Sequence, residues 1–125
     1  MIKLVFNIRR REGMTREEFQ RYWRDEHARL VEAHADVLRI RRYVQTHARD
    51  TAADDALAAA RGSEPRYYDG VAELWWDSVE DLLEASTSEE GQIAANALLE
   101  DERRFIDLPS SPIWLGEENV VIDGG

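Results

Sequence analysis

Ile2, Leu4, Phe6 and Ile8 alternate with Lys3, Val5, Asn7 and Arg9, the period of a half-buried strand. Gly13 breaks the chain. Thr15 with Glu18 then makes a capping box, and Met14 with Phe19 can staple it from outside. The helix that follows carries Phe19, Trp23, Glu26, His27, Leu30, His34 and Val37 on one face at 100° per residue, with Tyr22 at its edge. Ile40 to Ala48 alternates again, with Tyr43, Gln45 and His47 on one side and Arg42, Val44 and Thr46 on the other. Thr51 and Gly62 bracket an alanine-rich helix where a cap and a stop belong. Asp69, Val71, Glu73 and Trp75 alternate with Gly70, Ala72, Leu74 and Trp76 as a third strand. Ser78 and Asp81 cap a short helix. After TSEEG the helical pattern restarts with Ile93, Ala94, Ala97, Leu98 and Phe105, ended by Pro109 and Pro112. IWLGEENVVI makes the last strand, broken near Gly116.

This order is βαβ, an inserted segment at about 49–66, then βαβ again. It predicts a single α+β domain over 1–125, a ferredoxin-like βαββαβ protomer whose four-stranded antiparallel sheet has its helices on one face. The insertion is either a surface loop or a lid. The other face of the sheet would carry Trp75, Trp76 and Trp114. Apolar surface of that kind is covered most simply by a second sheet, so a homodimer is expected.

Composition narrows the function classes. The chain has 125 residues, no cysteine and a net charge of −10. Disulfides, thiolate zinc sites and a cysteine nucleophile are therefore excluded, and a general nucleic-acid footprint is not expected. MIKLVFNIRR has no signal-like apolar segment, and no stretch approaches the ~20 apolar residues of a membrane span. A cytoplasmic protein without membrane contact is expected. The arginine clusters at 9–11 and 39–42 are solvated strand ends or, alternatively, supply an arginine that recognises an anion.

Four segments together resemble the EthD family of the dimeric α+β barrel superfamily, named for ethyl tert-butyl ether degradation. They are MTREEFQRYWRDEHARLV (14–31), RRYVQTH (41–47), YDGVAELWWDSVEDLL (68–83) and FIDLPSSPIWLGEENVVI (105–122). The resemblance implies two protomers closing a dimeric α+β barrel. Relatives in that superfamily include lactone isomerases, polyketide cyclases and dehydratases, and cofactor-free monooxygenases. The family's histidine after a Tyr-Trp pair matches His27, and its histidine ending the second strand matches His47. The helix at 51–61 is longer than the family's minimal pattern.

His27 can move protons near pH 7 or can be a core-edge imidazole bonded to a carbonyl. If the His47 side of its strand faces the helix, both imidazoles and the phenols of Tyr22 and Tyr43 converge. His34, seven residues beyond His27, reads as structural or exposed. Glu73, flanked by Val71 and Trp75, is either an acid or base with a raised pKa or an ion-paired interface residue. Asp69, four residues away, is too distant to form a close carboxylate pair with it. Trp23, Trp75, Phe105 and Trp114 are core residues or the walls of an apolar pocket. A metal would need His27 and His47 with Glu26, Asp69 or Glu73, and none is expected. No glycine-rich phosphate loop, dinucleotide fingerprint or nucleophilic serine elbow occurs.

The leading expectation is thus an acid/base enzyme without cofactor. It would act as an isomerase, dehydratase, cyclase or oxygenase on a small apolar carbonyl, lactone or aromatic ligand, with His27, His47 and Glu73 as catalytic candidates. The alternatives are a ligand-binding accessory protein of a monooxygenase system and a dimeric scaffold without a pocket.

Overall fold

The alternating segment Ile2–Ile8 becomes β1 and pairs antiparallel on both sides, with β3 (Gly70–Trp76) and β4 (Ile113–Glu117); β2 (Arg42–His47) pairs antiparallel with β3. The computed structural model describes residues 1–64 and 66–125; Pro65, inside the expected insertion, lies outside the described residues. The strand order β2-β3-β1-β4 is that of a ferredoxin-like α+β sheet. Register puts Phe6 beside Ala72 and Gln45 beside Ala72. Phe6, Ile8 and Ala72 therefore share a face with Tyr43, Gln45 and His47. That face meets Phe19, Trp23 and Phe105 in the core.

The predicted first helix forms, but with a defect that determines what faces inward. The Thr15–Glu18 capping box opens α1 (Arg16–Arg21) as expected. A π-helical turn follows over Tyr22–His27 before α2 (Ala28–His34) resumes ordinary winding. Its mark is the five-residue bond from the Ala28 amide to the Trp23 carbonyl. The wide turn accommodates one extra residue, so everything beyond it is displaced by one position around the axis. Burial follows the displaced pattern. Ala28, Val31 and Leu38 point inward, whereas Leu30 and His34 are half-buried and Val37 is exposed.

The remaining helices are α3 (Ala52–Arg61), α4 (Val79–Thr87) and α5 (Glu89–Glu102). Thr51 caps α3, and Gly62 ends it in the left-handed conformation that glycine adopts without strain. No α3 residue is buried. Gly91 is not a break: it sits in the first turn of α5, where a Cβ would lie 1.6 Å from the Ala85 carbonyl oxygen. Its lack of a side chain lets the two helices meet.

Two expectations about the sheet change. Consecutive strand residues face opposite sides, so Trp76 turns to the helices and donates to the Leu38 carbonyl at 2.7 Å. Only Trp75 and Trp114 occupy the helix-free face. The last strand runs through Gly116 and stops at Glu117. Glu118 leaves the ladder and accepts from the Trp75 indole at 2.7 Å, while Val120, Val121 and Ile122 are exposed. No helix is long and apolar enough to cross a membrane among the described residues.

Candidate active site

The π turn presents Tyr22, Trp23 and His27 toward α5 and the sheet. His27 is 4 % exposed, and its Nδ1 lies 2.7 Å from Asp101 Oδ2. The other carboxylate oxygen accepts from the Tyr22 hydroxyl at 2.5 Å. One carboxylate on the last turn of α5 thus fixes both side chains from the π turn. A carboxylate only accepts, so His27 Nδ1 carries the proton and Nε2 keeps its lone pair. Nε2 has no hydrogen bond among the described residues and is not among the sealed, unpartnered atoms. Burial lowers the His27 pKa, partly offset by Asp101, and the ring is neutral at pH 7. Burial and then the bond to Asp101 push the Tyr22 phenol up to about 12. Phe105 seals this corner, 4.9 Å from the His27 ring and 5.1 Å from Tyr22.

A second polar string runs along β2. Gln45 Nε2 donates to the Trp23 carbonyl and to the Tyr43 hydroxyl, each at 2.9 Å, and Gln45 Oε1 lies 2.8 Å from His47 Nε2. The Trp23 carbonyl, which takes the five-residue bond from Ala28, thus accepts a second donor from Gln45, tying the π turn to β2. The His47 ring lies 4.4 Å from the Trp23 ring. Burial, then the charge of Arg24, lowers its pKa. Gly70 makes this packing possible, since a Cβ there would stand 2.6 Å from Trp23 Cζ3 and 2.5 Å from the Thr46 carbonyl oxygen.

Glu102 stands next to Asp101 and acts electrostatically on Tyr43, whose pKa burial raises. Burial, then Asp101, push the Glu102 carboxyl up to about 7. It is poised to hold or release a proton at neutral pH. Among the described residues no group of three His, Cys, Asp or Glu side chains is arranged to hold a metal ion.

The model for the EthD domain matches residues 11–109. The chain belongs to the EthD family. An EthD family protein from Bacillus halodurans c-125 superposes with a TM-score of 0.63 at 20 % identity, over 95 % of this chain and 99 % of that one. A dimeric protein of unknown function with a ferredoxin-like fold, from Bacteroides fragilis, gives 0.58 at 13 % identity over 94 % and 95 %. SnoaB, a cofactor-independent oxygenase from Streptomyces nogalater, gives 0.56 at 16 % identity over 97 % and 95 %. No curated protein matches the sequence significantly.

In this EthD chain the expected residues divide between the two faces of the sheet. Tyr22, Trp23, His27, Tyr43, His47 and Phe105 gather on the helix side. Their rings form a chain of contacts, His47–Trp23 at 4.4 Å, Trp23–Phe19 at 5.4 Å, Phe19–Phe105 at 5.7 Å and Phe105–His27 at 4.9 Å. The two imidazoles therefore have separate partners, with packed aromatic rings linking them. Glu73, Trp75 and Trp114 lie on the helix-free face. Glu73 pairs with Lys3 at 2.5 Å, Trp75 stacks with Lys3 and Arg42, and Trp114 is 52 % exposed. Open clefts of about 570 Å³ and 530 Å³ near Arg10 and Arg16 contain none of these side chains. Asp69 is buried there, holding Arg10 at 2.6 Å and Arg16 at 3.4 Å.

Sequence reading missed Asp101, Glu102 and the role of Gln45. A signal for the first two exists in the run Glu100-Asp101-Glu102. Acidic groups at a helix C-terminus oppose the helix dipole, and the last turn of α5 has no basic residue to offset them.

Proposed function

We propose that this EthD chain is a cofactor-independent acid/base enzyme, of isomerase, dehydratase or cyclase type, acting on a small apolar carbonyl compound. The observation that carries the reading is the Asp101 clamp, which holds a buried, neutral His27 with Nε2 bare. Such a nitrogen takes a proton from a carbon next to a carbonyl. The C–H electrons then move into an enolate, whose oxygen needs a proton or a donor. Glu102, next to Asp101 in the chain and with its carboxyl pushed up to about 7, is the group whose titration suits that donor role. The like-folded SnoaB, described as a cofactor-independent oxygenase, supports small-molecule chemistry on this scaffold without a bound group. The exposed Trp114 on the helix-free face, together with the dimeric relative from Bacteroides fragilis, supports a homodimer paired through that face.

The test is deuterium wash-in from D₂O at the α-carbon of a panel of aromatic ketones and lactones, with dissociation constants measured alongside. Wild type should exchange at least one compound. His27→Ala should slow exchange by roughly 10²- to 10⁴-fold while binding stays within a few-fold. Binding without exchange in wild type would make the chain a carrier and refute the enzyme reading.

A further inference from the structure

The open cleft of about 570 Å³ lies where β1 ends and the chain comes back toward β3. Arg9, Arg10 and Arg11, which follow β1, line it together with Arg16 of α1 and Arg66. The same lining holds three carboxylates, those of Glu12, Asp69 and Asp107, so positive charge prevails there in a chain of net charge −10. Asp69 is buried, and its oxygens are spent inside the protein. Oδ2 accepts from the Arg10 amide at 2.8 Å, and Oδ1 from Arg10 Nη1 at 2.6 Å and Arg16 Nε at 3.4 Å. Arg10 Nε also donates to the Met14 carbonyl, and Arg16 Nη1 to Asp50. Two guanidinium groups from different elements are thus held in place, each with its Nη2 uncommitted among the described residues. Arg9 lies over the Tyr67 ring, 4.1 Å from its centre. Among the described residues neither Arg9 nor Arg11 has a side-chain hydrogen bond or a carboxylate partner. Arg66 is already bound to Asp50 and to the Arg49 carbonyl, and contributes charge more than donors.

We propose that this cleft binds the carboxylate or phosphate group of a small molecule, held by Arg9, Arg10, Arg11 and Arg16. Guanidinium groups ordered in advance lose little freedom when an anion arrives. Their planar N–H pairs match the oxygens of either group. The volume is that of a small-ligand site. A neutral ligand would leave the charge unanswered. A long polyanion such as nucleic acid would meet the repulsion of the acidic surface beyond the cleft. None of the side chains around His27 and Asp101 lines this space, so the inference stands apart from the acid/base reading.

Inorganic phosphate and malonate, titrated separately against the ¹⁵N-labelled full chain at about pH 6.5, test this through the arginine Nε–H signals. Sodium chloride holds the ionic strength constant, so that general screening does not change along the titration. At least one of the two ions should saturate with a Kd of about 1 mM or below and shift Arg9 and Arg10. Binding by both would assign the shared oxyanion chemistry, and binding by one would say which group the ligand carries. Arg9→Gln and Arg11→Gln each remove a guanidinium without breaking a side-chain hydrogen bond among the described residues, and each should weaken binding roughly tenfold. Arg21→Gln makes the same charge change on an exposed residue outside the cleft, and should leave affinity within about twofold. No saturation by either ion at about 10 mM overturns the proposal. So does unchanged affinity in both cleft variants, or an equal loss in all three, which would mean general charge attraction.

Discussion

Replacing Glu102 by Gln removes a charge that the folded chain resists forming, and the effect on stability follows from the structure. An unfolded glutamate loses its proton near 4.5, whereas folded Glu102 keeps its proton up to about 7. Between those values the folded protein binds more protons than the unfolded chain, so this residue lowers stability as pH rises through that window. Above about pH 7 the loss is complete. At about 1.4 kcal/mol per pH unit, the gap between 4.5 and about 7 corresponds to about 3 kcal/mol. A glutamine of nearly the same shape carries no such cost. Urea unfolding of wild type and Glu102→Gln, at one protein concentration from pH 4 to 9, gives the difference directly. The two should coincide at the acid end and diverge to about 3 kcal/mol in favour of the variant by pH 8. Parallel curves, or a variant less stable at pH 8, would refute the placement of Glu102 in a site that disfavours its charge.

Other outcomes follow from the same geometry. Asp101→Asn should bring the Tyr22 phenol down from about 12 toward 10, read by ultraviolet titration, and cost about 1–3 kcal/mol through loss of the charged acceptor. Gly70→Ala should cost about 1–3 kcal/mol in thermal or urea unfolding, because its Cβ would strike the Thr46 carbonyl and the Trp23 ring. Gly91→Ala should destabilise more than Gly70→Ala, since its clash is with backbone at 1.6 Å. Burial depresses both His27 and His47 below 6.5, so the unfolded chain binds protons that the folded one refuses. Their contribution is full above about 6.5 and is lost as pH falls below it. Replacing both by glutamine should flatten that acid limb in the same unfolding series.

The sheet was legible because alternation is a local property and a one-residue slip would expose a whole face. The capping residues Thr15, Thr51 and Ser78 were legible for the same reason, since each satisfies amides within three residues of itself. The π turn was not legible, because part of what holds it is tertiary: Gln45, a residue 22 positions away, donates to the Trp23 carbonyl beside the Ala28 amide. With the turn went the phase of the helix, which is why Leu30 and Val37 were expected inward and their successors were found there. His27 and Tyr22 could be proposed from their place on a helix face. Their shared partner Asp101 could not, because its role depends on α5 packing against the π turn. For Glu73 an acid or base and an ion-paired residue were both open; the partner could not be named, because apolar neighbours along a strand say nothing about Lys3, which the register sets diagonally across from it on the same face.

The winding defect in the first helix changes what a deletion there does. In most helices, deleting a residue turns the downstream stripe away from the core and destroys the fold. Here the wide turn already holds a surplus residue. Losing the exposed Glu26 would restore plain α-helical geometry while Ala28, Val31 and Leu38 still met the sheet. A chain shortened by that one residue would keep its sheet-facing stripe and lose the fan of side chains from Tyr22 to His27.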